Sequence, residues 1–431
     1  MLPFVLPIQA IAITSPKTGD VIRSRAVIVR GTSNEALVSI SVPGSRPVRV
    51  PTVEGKFSAP IELRNGDVEI TVRSQKSEAK ANIACKPATS GFKVRLVYLD
   101  AADEPNSSVF GLPGTKRIDV TTRFSTAVKL MQAFCEDHFR RTERVSRTFT
   151  VDFGRDGHIP ISFLTSTQTG AELRAQKAEV TWSKVYAELQ PKFKLENEKL
   201  LVVMGFTRYD AATQRTTGAT ALGGGSLALF GGGCVRFWPT SVGDSVRALS
   251  DNRVIDPKIE LDDSGLRYRA WANASTTIGA MMHELGHTFG LPHTVDNRCI
   301  MSRGFDQFGA AMIGFEPGPK DQNRATPGSY WDPVHSARLS LSPFFQPRRP
   351  ASELPKAPRI KVNGDTVDID SEDDLSLLAV WQDGKPNWSQ PLTGRSARFS
   401  FAELQSKIKG DRINIVAMTA SGGERTLRRD P

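Results

Sequence analysis

A chain of 431 residues, at about 150 residues per domain, predicts about three domains rather than one. Its 39% hydrophobic and 24% charged residues are ordinary for folded proteins and exclude wholesale disorder. The net charge of +10 is spread along the chain, and no stripe of Lys and Arg interleaves with aromatic residues. We therefore expect no nucleic-acid partner, and nothing in the composition specifies an oligomeric state.

The longest apolar run covers residues 2–13 and is interrupted by Pro7 and Gln9. A membrane-spanning helix needs about 20 apolar residues, so no membrane span is predicted. No Lys or Arg precedes Lys17, and the run therefore lacks the basic start of a signal peptide. This favours the cytoplasm, with secretion as the alternative, and we expect the run to form a first β-strand.

Residues 1–88 contain short β-rich runs separated by turn signals, such as Val42-Pro43-Gly44 and Asn65-Gly66-Asp67. This rhythm predicts an N-terminal immunoglobulin-like β-sandwich. From Phe92 the pattern changes to strands that alternate with helices, which predicts an α/β domain over residues 92–346. Its expected elements are strands at 94–99 and 200–204 and helices at 125–141, 182–189 and from about Thr276 onwards.

Five prolines between residues 343 and 358 interrupt regular structure and mark a second boundary. Residues 359–431 return to short β-runs, with a turn signal at Asn363-Gly364-Asp365, and predict a small C-terminal β-domain. Four cysteines show no C-x-x-C pair, which excludes a cysteine-based zinc module and leaves one or two disulfides open: Cys85, Cys135, Cys234 and Cys299.

The most informative segment contains H-E-x-x-H followed by G-x-x-H, with its histidines at His283, His287 and His293. Residues four apart on a helix lie about 40° apart around the axis, so His283 and His287 can face one metal ion. A continuing helix would turn His293 away from that ion. Gly290 and Pro292 permit a sharp reversal that returns His293 as a third ligand.

Three histidine ligands with an open fourth position are typical of a catalytic zinc site. We therefore expect one zinc ion at His283, His287 and His293. Glu284 flanks the site and is the expected general base, which takes a proton from zinc-activated water and passes it to the leaving amine.

This string resembles the signature of the metzincin zinc peptidases. The resemblance implies a methionine-containing turn beneath the zinc, which Met301 matches eight residues after His293. Arg303 stands where some metzincins place a tyrosine, so no tyrosine ligand is expected. The predicted fold class is therefore multidomain, with a central α/β (α+β) metzincin-like domain between two β-domains.

Residues 92–345 also resemble a family of zinc metallopeptidases known chiefly from fungi. The resemblance rests on the zinc motif, the helix near 121–134, the glycine-rich run from Ala221 and the segment 300–304. It implies the fold and the reaction class of that family but says little about the natural substrate.

Metzincins lay their substrate along an exposed edge strand above the zinc. In this chain the resemblance assigns that role to Leu227, Ala228, Leu229 and Phe230, whose backbone would hold an extended peptide. The alternative is a buried strand between tight glycine turns.

The predicted function is zinc-dependent hydrolysis of peptide bonds in a protein or peptide substrate, most simply by an endopeptidase. One alternative is a catalytically silent protein that holds zinc and binds or adheres to a partner, although the intact Glu284 argues against it. A second alternative is a hydrolase of a non-peptide amide, which the motif cannot distinguish from a peptidase.

Overall fold

The computed structural model describes residues 11–105, 120–218, 221–318, 322–345, 355–409 and 412–429. The predicted first strand lies partly outside these ranges, and its described part continues into a strand at Ile11–Ser15. No helix in the described ranges is long and apolar enough to cross a membrane. All four cysteines are buried free thiols, so the described structure contains no disulfide.

From residue 11 onwards, the N-terminal region contains eight strands: β1 (Ile11–Ser15), β2 (Val21–Ile22), β3 (Ala26–Ser33), β4 (Leu37–Ser41), β5 (Val48–Pro51), β6 (Lys56–Glu62), β7 (Gly66–Arg73) and β8 (Glu78–Cys85). They form two sheets, with strand orders β1-β3-β6 and β2-β8-β7-β4-β5. Ile28 of one sheet and Ile40 and Ile70 of the other are fully buried in one core. The immunoglobulin-like topology itself stays a prediction.

In its described residues, the central region contains nine strands: β9 (Lys93–Asp100), β10 (Ile161–Thr165), β11 (Glu198–Met204), β12 (Arg208–Asp210), β13 (Arg215–Thr217), β14 (Ala221–Gly224), β15 (Leu227–Gly231), β16 (Phe315–Glu316) and β17 (Arg324–Ala325). The α-helices of this described part are α1 (Val120–Thr142), α2 (Gly170–Ala175), α3 (Ala178–Leu189), α4 (Ser245–Ala248), α5 (Ala270–Thr288), α6 (Phe308–Ile313) and α7 (Pro333–Leu341). The main sheet has the order β10-β9-β11-β15-β14, and only β14 runs antiparallel to its neighbour.

Helices cover both faces of this sheet. Side chains of α2 and α3 pack with Val202 and Leu229 on one face, and α1 and α5 pack with Leu201 and Phe230 on the other. The predicted helices at 125–141 and 182–189 are confirmed within α1 and α3. The third helix begins at Ala270, six residues before the predicted Thr276. Its first turns are buried on every side, so the sequence there lacks the separation of apolar and polar faces by which an amphipathic helix is predicted.

Over residues 355–409 and 412–429, the C-terminal region contains seven strands and one helix: β18 (Arg359–Asn363), β19 (Thr366–Asp370), β20 (Leu375–Gln382), β21 (Lys385–Pro391), β22 (Ser396–Ser400), α8 (Phe401–Gln405), β23 (Ile413–Thr419) and β24 (Glu424–Arg429). Two antiparallel sheets form, with orders β18-β19-β22 and β21-β20-β23-β24. The predicted turn after Asn363 closes the β18–β19 hairpin, where Gly364 has a φ of 58°. Val334 of α7 packs against Leu377 and Met418, which attaches this region to the central one.

The N-terminal sheets and the central region share one continuous hydrophobic core. At their contact, the buried Glu136 of α1 accepts hydrogen bonds from the backbone N–H groups of Arg23 at 2.6 Å and Ser24 at 3.0 Å, and from the hydroxyls of Ser24 and Ser146. Asp137 forms an ion pair with Arg30 at 2.9 Å. The predicted boundary between residues 88 and 92 therefore separates two regions that are packed together.

Glu136→Ala is expected to lower the free energy of unfolding by about 2–4 kcal/mol, because it leaves several buried donors of residues 23, 24 and 146 without an acceptor. Urea denaturation measures the loss. The matched control is Glu179→Ala, at an exposed carboxylate on α3, which should change stability by less than about 0.5 kcal/mol. Equal stabilities of the two variants would contradict the role of Glu136 as the acceptor that joins the regions.

Candidate active site

Helix α5 and the reversal after it place the three histidines of the motif together. The helix ends at Thr288, and Gly290 adopts a φ of 79°, a left-handed conformation that glycine accepts without strain. The N–H of Leu291 then donates to the Gly286 carbonyl at 3.2 Å, which closes the turn. The chain reverses directly before His293, as the sequence predicts.

The Nε2 atoms of the three histidines form a nearly equilateral triangle. His283 and His287 are 3.1 Å apart, and His293 lies 3.2 Å from each of them. Three nitrogens bound to one tetrahedral zinc ion at 2.0–2.1 Å would be separated by about 3.3 Å. The spacing of the imidazoles therefore fits zinc.

The hydrogen bonds of the other ring nitrogens fit a metal as well. His283 Nδ1 lies 2.8 Å from the Ile300 carbonyl oxygen, and His287 Nδ1 lies 2.8 Å from the Leu291 carbonyl oxygen. A carbonyl only accepts, so both Nδ1 atoms carry the proton and both Nε2 atoms present lone pairs. Two lone pairs 3.1 Å apart cannot hydrogen-bond to each other, whereas a cation between them satisfies both.

Burial keeps these imidazoles neutral. It lowers the pKa of His283 to about 3 and also lowers the pKa values of His287 and His293. Neutral imidazole is the form that binds a metal, so the site needs no further deprotonation at neutral pH.

Glu284 lies beside the histidine triangle and is only 8% exposed. Burial raises the pKa of its carboxyl to about 7, and the backbone N–H of Gly223 opposes this shift by donating a hydrogen bond to the carboxylate. A carboxylate with a pKa near neutrality can both accept and release a proton at physiological pH. The Glu284 carboxylate therefore points from α5 towards Gly223 of strand β14.

The predicted edge strand is wrong. Leu227, Ala228, Leu229 and Phe230 lie in β15, which pairs with β11 on one side and β14 on the other and is almost fully buried. The edge is β14, because a tight turn at Gly225 and Ser226 folds residues 221–224 back along β15. Two residues between two β-runs, the first of them glycine, are a hairpin signal that could have indicated this arrangement from the sequence.

Gly223 holds β14 close to the zinc-motif helix. A Cβ atom at this position would lie 2.0 Å from the Glu284 carbonyl oxygen, so only glycine fits there. Glycine in this run therefore allows the edge strand β14 to pack directly against the backbone of α5.

Met301 is fully buried. Its Sδ would be 2.5 Å from a Cβ placed on Gly286, so the turn that carries Met301 packs directly against α5. The turn is anchored through Ile300, whose N–H donates to the Tyr330 carbonyl at 2.9 Å and whose own carbonyl orients His283.

A second buried cluster, formed by Cys299, Asp332 and His335, supports this turn. His335 Nδ1 lies 3.3 Å from Cys299 Sγ and 3.1 Å from Asp332 Oδ2. Asp332 also caps α7 by accepting from the His335 N–H. The sequence carries no signal for the contact of Cys299 with His335, since 36 residues separate them.

Comparison with known proteins identifies the family of the chain. A family model described as "Putative peptidase family" matches residues 10–372. The chain belongs to this peptidase family. The match begins in the N-terminal sheets and ends after β19, so it extends beyond both ends of the range 92–345 on which the sequence resemblance rests.

Two fungal proteins named "putative zinc metalloproteinase" are similar to the chain. The one from Schizosaccharomyces pombe is 30% identical over 219 residues, which cover 46% of this chain and 34% of the relative. The one from Saccharomyces cerevisiae is 25% identical over 341 residues, which cover 69% and 48%. The matches thus span between a third and a half of the length of these curated relatives.

Two solved structures resemble the fold more distantly. OgpA from Akkermansia muciniphila is 16% identical, with a TM-score of 0.49, and the alignment covers 79% of this chain and 94% of OgpA. Archaemetzincin from Methanopyrus kandleri is 14% identical, with a TM-score of 0.26 and coverages of 59% and 96%. Both TM-scores lie below 0.5, so the description of the site rests on its own geometry.

Gly223→Ala is expected to destabilise the protein by about 1–3 kcal/mol and to reduce any activity, because the added methyl group pushes β14 away from the backbone of Glu284. The neighbouring Gly224→Ala is the control, since a Cβ there meets no atom within 4 Å. Urea denaturation of both variants tests the contact, which equal stabilities would contradict.

Proposed function

We propose that this protein is a zinc-dependent endopeptidase of the metzincin type, with His283, His287 and His293 as ligands of one zinc ion and Glu284 as the general base. The observation that carries the proposal is the triangle of Nε2 atoms, two of which are fixed as lone-pair donors by backbone carbonyls. The peptidase family and the names of the fungal relatives support the reaction class.

Zinc bound by three histidines supplies Lewis-acid chemistry, because it lowers the pKa of water and polarises a carbonyl oxygen. Glu284 removes a proton from the attacking water while the water oxygen bonds to the scissile carbonyl carbon. As the C–N bond breaks, Glu284 returns this proton to the amine nitrogen, so the carboxylate is regenerated. The raised pKa of Glu284 suits both transfers.

The edge strand β14 replaces 227–230 as the proposed binding strand for the substrate. In the described part of the chain, no strand pairs with the side of β14 that faces away from β15. An extended peptide can therefore add to this edge by backbone hydrogen bonds, with residues on both sides of the scissile bond. Binding on both sides favours an endopeptidase over an exopeptidase.

Glu284→Gln is expected to lower kcat by about 10²–10⁴-fold while the zinc content stays near one ion per chain, because the amide cannot accept the proton from water. Zinc is measured by atomic absorption, and turnover with a mixed peptide library. If wild type and variant both hold zinc and neither cleaves any peptide, the result contradicts the peptidase proposal and favours a catalytically silent binding protein. Cleavage of only non-peptide amides would support the second alternative.

His287→Ala is expected to abolish stoichiometric zinc binding, because it removes one of three protein ligands and leaves the others too few to hold the ion. The control is His158→Ala, at a histidine in the turn before β10, which should retain both zinc and turnover. Dialysis against a chelator should likewise stop peptide cleavage by the wild type, and added zinc should restore it. Full zinc occupancy in His287→Ala would refute the ligand assignment.

A further inference from the structure

A cavity of about 520 Å³ lies where the C-terminal region meets the loop after the third histidine. Val295 lines it from the loop, and the turn of the β20–β21 hairpin and the segment 406–409 line it from the C-terminal region. Val295 is two residues beyond His293, and two residues span at most about 7 Å of chain. The cavity is therefore lined by the same loop that carries His293.

The two surfaces of this cavity are joined by a buried hydrogen bond. Thr294, which directly follows the third histidine, donates from its hydroxyl to the Pro386 carbonyl at 3.3 Å. Thr294 is only 6% exposed. The β20–β21 hairpin is thus attached to the same loop that carries His293.

Three lysines line the cavity: Lys385, Lys407 and Lys409. The side-chain amides of Asn387 and Gln382 donate to the carbonyls of Lys407 and Lys409, respectively. The N–H of Lys409 returns a hydrogen bond to Gln382 Oε1 at 3.1 Å. These bonds fix the segment that carries two of the lysines against the hairpin that carries the third.

The charges in the cavity are unbalanced. Asp383 is the acidic residue in its lining, and Lys407 lies 3.9 Å from the carboxylate of Glu403. Within the described residues, no carboxylate lies within 4.0 Å of the ammonium groups of Lys385 or Lys409. Three neutral histidines also leave the double charge of a bound zinc ion uncompensated, so both neighbouring sites favour an anion.

We propose that the cavity formed by Lys385, Lys407 and Lys409 binds a carboxylate of the peptide substrate. Because the loop that follows His293 lines the cavity, this carboxylate would lie in the stretch of substrate next to the scissile bond. It belongs either to an internal Asp or Glu side chain or to the C-terminus of the peptide. This inference rests on the proposed peptidase function and specifies its substrate class.

The test measures equilibrium binding, so that it does not depend on turnover. Zinc-loaded Glu284→Gln protein is titrated with three fluorescein-labelled versions of one peptide: neutral and amidated, amidated with one internal Glu, and neutral with a free C-terminal carboxylate. At least one carboxylate peptide should bind about threefold to tenfold more tightly than the neutral amide, and 0.5 M NaCl should reduce this difference. The peptide that gains affinity identifies the source of the carboxylate.

Adding Lys385→Gln should remove most of the preference for the carboxylate peptide, as judged by fluorescence anisotropy. The matched control is Lys361→Gln, at an exposed lysine on β18, which should leave the preference unchanged. Equal affinities for all three peptides, or a preference that survives Lys385→Gln, would overturn the inference. If the wild type cleaves no peptide, the proposed function fails, whereas these affinities still decide whether the lysines bind a carboxylate.

Discussion

Two backbone carbonyls determine what the histidine motif can do. Ile300 and Leu291 accept the Nδ1 protons of His283 and His287, which turns both Nε2 lone pairs towards one point. Both carbonyls belong to the chain that follows α5, so the imidazoles of His283 and His287 are oriented by the same reversal that returns His293. The turn at Gly290, the close contact of Gly286 with Met301 and the attachment of Ile300 to Tyr330 all hold this reversal in place.

The N-terminal and C-terminal regions are packed more closely with the central region than the predicted domain boundaries suggest. The N-terminal sheets share their core with α1 and are joined to it through Glu136 and Asp137, so they form part of the scaffold behind the sheet that carries β14. The family match from residue 10 onwards agrees with this shared packing. The C-terminal region packs on α7 and contacts the loop beside His293, where our carboxylate-binding proposal places a role for it in substrate choice.

The glycine-rich run illustrates how a local pattern can be assigned to the wrong element. Its apolar residues 227–230 suggested a strand, which is correct, but the exposed edge is the preceding β14. Whether a strand lies at an edge depends on which other strands pair with it, and β11, some 25 residues earlier, occupies the far side of β15. Gly223 acquires its importance from a contact with Glu284, 61 residues later, which strand propensity does not encode.

The features that depend on neighbouring residues could be predicted from the sequence. Helical spacing identified His283, Glu284 and His287, the glycine and proline after α5 identified the reversal to His293, and periodicity identified α1 and α3. Four features appear only in the folded chain: the edge strand, the Cys299–His335–Asp332 cluster, the shared core around Glu136 and the lysine cavity. Each of these joins segments that are far apart in the chain, and such contacts arise from packing and sheet pairing rather than from local conformational preference.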